Sequence, residues 1–299
     1  MTLANKILLF PLTRLVIGLG VFAVASSAWP SVNALLHLEN ARSGPIPNAE
    51  GAASALFALF VLGRYVERRP ASAWGLPRAR AFPQLGLGFG IGAAMLLATV
   101  GVIALIGGYH LRGLAPLPAG QHHVLQMARA TLVFLFIAVG EEVVARGIIF
   151  RVLEEGVGTY AALAMSALFF GFGHMFNPHA SWVSSVAISL EAGFMLGCAY
   201  TWARSLWFPI GIHWAWNLFE GPVLGAPVSG TAGYQLVDAS WSGSALWTGG
   251  TFGPEAGLVA VVIGTALGAS FLVATRKRGE VRGMGGWRKQ PSDVPSAHA

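Results

Sequence analysis

The sequence predicts an all-α polytopic membrane bundle of about eight transmembrane helices, on three observations. Hydrophobic residues make up 55% of the 299 residues and charged residues only 11%, where a soluble domain carries about a quarter charged. The apolar residues fall into blocks near the roughly 17–25 residues that cross a bilayer. Lys and Arg collect in alternate gaps between those blocks.

Taken in order, the first block runs from about Leu8 to Trp29, and its length reads as a retained helix rather than a signal peptide. A short second block spans about Ala52 to Val66, and a third about Leu85 to Ile106. The fourth, about Met127 to Phe150, contains Glu141, Glu142 and Arg146. The fifth and sixth cover about Tyr160 to Phe176 and about Trp182 to Trp202. The seventh, about Leu206 to Leu224, contains His213 and Asn217, and the eighth covers about Gly257 to Thr275. This gives one transmembrane domain over residues 1–278, with its functional core at about 127–224. The polar Gly/Pro/Ser-rich tail, 279–299, is expected to be disordered. The Gly225–Pro254 loop reads more readily as a connector than as a lid.

Basic residues lie between helices two and three (Arg64, Arg68, Arg69, Arg78, Arg80), then at Arg151, Arg204 and Arg276–Arg278. With eight spans all of these fall on one side, which predicts cytoplasmic termini. A net charge of +6 can signal nucleic acid, but these residues form no stripe on one element, so no nucleic-acid partner is expected. The expected partners are the lipid bilayer and a peptide or protein substrate. Cys198 is the one cysteine, so no intrachain disulfide forms.

Charge inside an apolar helix is costly, about 2.5–3.5 kcal/mol for Asp, Lys or Arg at mid-membrane. Three clusters stand out for that reason. Glu142 and Arg146 are four apart and can neutralise one another, while Glu141 points about 100° away and needs a partner from elsewhere. His174 ends an apolar run behind Gly171 and Gly173, which allow close helix approach. His213 and Asn217 share a helix face. Each cluster alone also suits a plain role: solvated glutamates at an interface, a histidine on a backbone carbonyl, or interhelical glue. Burial favours their convergence, because each polar group must be satisfied inside protein. A carboxylate beside two imidazoles can deprotonate water, and Asn217 can donate to an oxyanion. The same set, Glu141, His174 and His213, is an acceptable zinc shell, so the cofactor reading stays between none and a divalent metal such as zinc. Glu191 has no basic neighbour on its own helix and is read as a wall of the cavity or a simple interhelical contact.

Glu-Glu-x-x-x-Arg, Phe-x-x-x-His and His-x-x-x-Asn, in this order on separate apolar helices, resemble the CAAX-protease and bacteriocin-processing (CPBP, or Abi) family of intramembrane endopeptidases. The resemblance covers about Leu132 to Leu218. It implies that Glu141 and His174 activate water and that His213 and Asn217 stabilise the oxyanion. Glu142, Arg146 and Phe170 complete the motifs in supporting roles. Two other functions fit the residues: a catalytically silent membrane scaffold, and a proton-coupled transporter using Glu141 and Glu191. No pair of broken helices in related halves favours the transporter.

Overall fold

The computed structural model describes residues 3–35 and 44–286. After the short α1 (Leu3–Leu8), α2 (Pro11–Leu35) and α3 (Pro45–Val61) form an antiparallel pair, with α3 prolonged by a π turn, Leu62–Val66. Then come α4 (Ala81–Leu105), β1 (Tyr109–Leu114) and α5 (His123–Glu142), which continues as π helix over Val143–Phe150. α6 (Arg151–Val157) and α7 (Thr159–Gly173) follow. α8 (Trp182–Ile188) runs through a π segment, Ser189–Phe194, into α9 (Met195–Ala203). α10 (Trp207–Leu218) ends in a third such segment beyond α3, Phe219–Val223. β2 (Val237–Trp241), α11 (Ala245–Thr248) and α12 (Leu258–Lys277) complete the chain.

Among the described residues, six helices are long and apolar enough to cross a membrane: Pro11–Leu35, Pro45–Val66, Arg78–Leu105, Thr159–Phe176, Trp182–Ala203 and Leu258–Lys277. The other two expected crossings, at α5 and α10, fall outside that set for physical reasons. α5 runs into Glu141, Glu142 and Arg146, and α10 has only 12 residues before its π continuation. α10 is sheltered by the others, with His213 and Asn217 buried, whereas α5 buries only Ala130, Ala138 and Glu142.

Close helix packing sets α10 in place. Gly88 and Gly92 of α4 lie against the carbonyls of Phe208 and Ile212, and Gly211 of α10 lies against Leu85 O; a Cβ at any of the three would collide with backbone. Gly171 likewise meets Ser185 and Ser189, bringing α7 onto the α8–α9 helix, as the sequence suggests, whereas Gly173 faces open space. Ser181 starts α8 with a capping box, its Oγ accepting from Ser184 N at 3.1 Å.

The arginine-bearing end is locked by buried ion pairs. Arg14 of α2 donates to Glu67 and, at 2.6 Å, to Glu155; Arg151 donates to Glu67 at 2.7 Å. Arg204 reaches Glu154 at 2.6 Å. Burial alone would raise the Glu67 and Glu155 carboxyls. Arg151 and Arg14 instead pull Glu67 below its ordinary value, and Arg14, Arg69 and Arg151 hold Glu155 at about 2. Depressed values mean that this stabilisation is present at neutral pH. For Glu155 it is lost only as pH falls from the ordinary carboxyl range toward about 2.

Two features depart from expectation. The Gly225–Pro254 loop is not a bare connector: it contains β2, which pairs antiparallel with β1, and α11. Residues 280–286, expected within the disordered tail, pack on the α6–α7 turn. Thr159 N donates to Arg282 O at 3.0 Å, and Gly285 N to Gly156 O at 3.1 Å. Gly158, at φ +83°, leaves the first amides of α7 open to this cap. Residues 287–299 lie outside the described residues.

Gly92→Ala should force α4 and α10 apart. A loss of about 1–3 kcal/mol is expected from overpacking, read as a lower thermal midpoint in detergent. An unchanged midpoint would show that the α4–α10 contact is slack.

Candidate active site

Four helical elements bring the sequence-predicted residues together. Glu141 and Glu142 end α5, just before its π segment. His174 follows α7 in a 3-10 turn (His174–Phe176), and His213 and Asn217 lie on α10. Glu191 comes from the π segment Ser189–Phe194. A π turn adds a residue to the helical repeat and so redirects the side chains around it; here three such segments, Val143–Phe150, Ser189–Phe194 and Phe219–Val223, flank the site.

Glu142 is buried and holds two helices together. Its Oε1 accepts from Arg146 NH1 at 2.7 Å and from His213 Nδ1 at 3.1 Å. Across the bundle, Arg146 NH2 donates to Gly193 O at 2.9 Å and Ala192 O at 3.2 Å, while Nε is buried without a hydrogen-bond partner. Arg146 also stacks over the Phe170 ring, 4.5 Å from its centroid, and Phe170 packs edge-on to His213. The expected Glu142–Arg146 pair is therefore present, and it does more than neutralise charge: it orients His213. The bond to His213 crosses from α5 to α10 and is invisible in helical spacing.

The two imidazoles are fixed in the same sense. His174 Nδ1 donates to Phe170 O at 2.8 Å, since a carbonyl can only accept. With both Nδ1 atoms committed, both Nε2 atoms face Glu141 Oε2, at 3.8 Å from His174 and 3.9 Å from His213. Glu141 Oε2 is buried and has no hydrogen-bond partner. If both rings are neutral, three acceptors point into one small space. Repulsion then demands a proton donor or a cation among them.

The donor types suit zinc: a carboxylate and two Nε2 atoms whose rings are anchored through Nδ1. As the side chains stand, no group of three His, Cys, Asp or Glu among the described residues is placed to hold a metal ion.

These groups open on a cavity of about 670 Å³, lined also by Asn217, Glu191 and Trp216. A second cavity, about 380 Å³, reaches Glu141, Phe170 and His174 from between α3, α5 and α7. Sequence reasoning missed Glu255, which lines the first cavity from a 3-10 turn before α12, and Glu220, buried just beyond Asn217. Glu220 had a signal, a carboxylate in the seventh apolar block; Glu255 lies in a loop and had none.

The helical bundle thus gathers Glu141, His174, His213 and Asn217 on one cavity, with His213 and Asn217 buried and Glu141 and His174 partly buried. Residues 123–219 match the family model described as Type II CAAX prenyl endopeptidase Rce1-like, so the core of this chain is similar to that family. No curated protein and no solved structure matches the chain significantly.

Arg146→Ala should leave a buried Glu142 charge and destabilise by about 3–5 kcal/mol. The Glu142→Gln/Arg146→Ala double variant should lose less stability than Arg146→Ala alone. An equal or greater loss of thermal stability in the double variant would argue against the pair.

Proposed function

We propose that the protein hydrolyses a peptide bond of a membrane-associated polypeptide, with water activated by Glu141 and His174. The observation that carries this reading is the convergence of two anchored Nε2 atoms on the unpartnered Glu141 Oε2. Their separations suit a water molecule bridging carboxylate and imidazole.

Glu141 takes a proton from that water as the oxygen attacks the carbonyl carbon of the substrate. The carbonyl becomes an oxyanion, which Asn217 stabilises through its amide N–H. His213 can add a second hydrogen bond only as imidazolium, because its Nδ1–H is already given to Glu142. The C–N bond then breaks, and the proton held by Glu141 passes, directly or through His174, to the leaving amine. Glu142, Arg146 and Phe170 act as positioning residues around His213. Glu191 forms part of the cavity wall. Two cavities that meet at Glu141 and His174 suit an extended chain lying across the reacting groups. Their apolar linings suit the side chains or lipid of a membrane-borne substrate.

Zinc, if bound, would be held by Glu141, His174 and His213 and would supply Lewis acidity and a more acidic water. The steps above need only the chain's own residues.

The test is incubation of purified protein in detergent with a peptide library, beside Glu141→Ala. Glu141→Gln, His174→Ala and His213→Ala should each lower the rate by about 10²-fold or more while the protein stays folded. Asn217→Ala should lower kcat by about 10²–10³ with KM little changed. Retention of more than about a tenth of the rate by every variant would remove these residues from the chemistry.

Activity should also survive extended treatment with a membrane-accessible chelator. Stoichiometric zinc in active protein, with activity lost on chelation and restored by zinc, would make Glu141, His174 and His213 ligands instead.

A further inference from the structure

The two ends of the bundle are distinct, and each is identified by its own internal bonds. One end joins the segments around residues 14, 67–80, 151–159, 204–207 and 280–286. Besides the ion pairs, Leu206 N donates to Gly75 O at 2.7 Å and Trp207 Nε1 to Pro77 O at 3.2 Å. The other end joins residues 109–123 to 225–254: β1 pairs with β2, His123 Nδ1 meets Tyr234 Oη at 3.0 Å, and Ala115 N donates to Leu236 O at 2.9 Å.

Basic residues divide sharply between these ends. Among the described residues, every Lys and Arg lies at or near the first end except Arg112, Arg129 and the buried Arg146. Clustered Lys and Arg near span ends stay on the cytoplasmic side. The first end is therefore the cytoplasmic one.

The reacting cavity opens at the other end. Its rim comes from Asn48, Gln126, Asn177, Ser229, Gly233 and Tyr234, all at the starts of helices or in loops of the arginine-poor end. Toward the cytoplasmic end the path from Glu141 is blocked by the fully buried Arg146, Ile148 and Phe150 and then by the Arg14–Glu67–Arg151 lock.

We propose that the active cavity is entered from the non-cytoplasmic side of the membrane. Its substrate is a polypeptide exported or anchored so that the cleaved bond is displayed at the outer surface, not a chain lipidated and presented in the cytosol. The word substrate rests on the endopeptidase reading; the direction of opening does not.

Cysteine labelling tests it in the full-length protein, in the membrane of intact bacterial cells. The native Cys198 is fully buried and gives little background. Gly233→Cys and Ala232→Cys mark the rim; both positions are exposed, and a Cβ at Gly233 meets nothing within 4 Å. Ser72→Cys and Ala79→Cys mark exposed positions at the arginine-rich end. A membrane-impermeant maleimide should label the rim variants in intact cells, and should label Ser72→Cys and Ala79→Cys only after permeabilisation. The reverse pattern, or labelling of both pairs in intact cells, would overturn the proposal. Either result leaves the endopeptidase reading standing, because that reading fails only if the purified protein shows no Glu141-dependent cleavage.

Discussion

The Glu142 carboxylate is the interaction on which the site depends. It is a buried anion that must be neutralised where it stands, and it is neutralised from two directions at once. Arg146, one turn along α5, supplies the charge, and His213 of α10 supplies a second donor. Because Arg146 also bonds to the carbonyls of Ala192 and Gly193, three separate parts of the chain are fixed relative to one carboxylate. A buried pair of this kind adds little net stability over an apolar replacement, since desolvation offsets attraction. What it supplies is geometry: it fixes one tautomer of His213 and aims Nε2 at Glu141. Glu141, adjacent in sequence but turned about 100° away, stays unpartnered and available.

Helix packing makes that geometry affordable. α10 approaches α4 through Gly88, Gly92 and Gly211, close enough that backbone meets backbone. Without water to drive association, small residues and interhelical polar bonds are what hold membrane helices together. The π segments after Glu142, around Glu191 and after Asn217 work in the same sense. Each bends a helical register so that side chains from one helix meet a common cavity.

The sequence made the fold class and the polar residues that meet at the candidate site legible, for a simple reason: both are written locally. Apolar blocks have a length set by the bilayer, and Glu141, His174, His213 and Asn217 are conspicuous because polar residues are costly there. What was not legible was tertiary. The Glu142–His213 bond joins residues 71 apart. Glu255 reaches the cavity from a turn with no periodicity to announce it. Arg14 sits inside the first apolar block yet is buried between Glu67 and Glu155, carboxylates from two other segments. The Gly225–Pro254 loop reads as polar and Gly-rich, but its β2 strand finds a partner in β1, and strand pairing across more than 120 residues leaves no local signature.

Pairing divides the buried charges of this protein into two groups. Arg14, Glu67, Glu142, Arg146, Arg151, Glu154 and Glu155 are buried and each is in an ion pair. Glu191, Glu220 and Glu255 are equally buried, but among the described residues none of them is in an ion pair with Lys or Arg, and all three gather on the cavity side. Glu141 Oε2 lies 3.8 and 3.9 Å from the two histidines and has no hydrogen-bond partner. A bundle that needed only polar glue would satisfy its carboxylates, as this one does at its arginine-rich end. Around the cavity, both oxygens of Glu220 and one each of Glu141 and Glu255 lack a hydrogen-bond partner, a cost in stability that the proposed chemistry would account for.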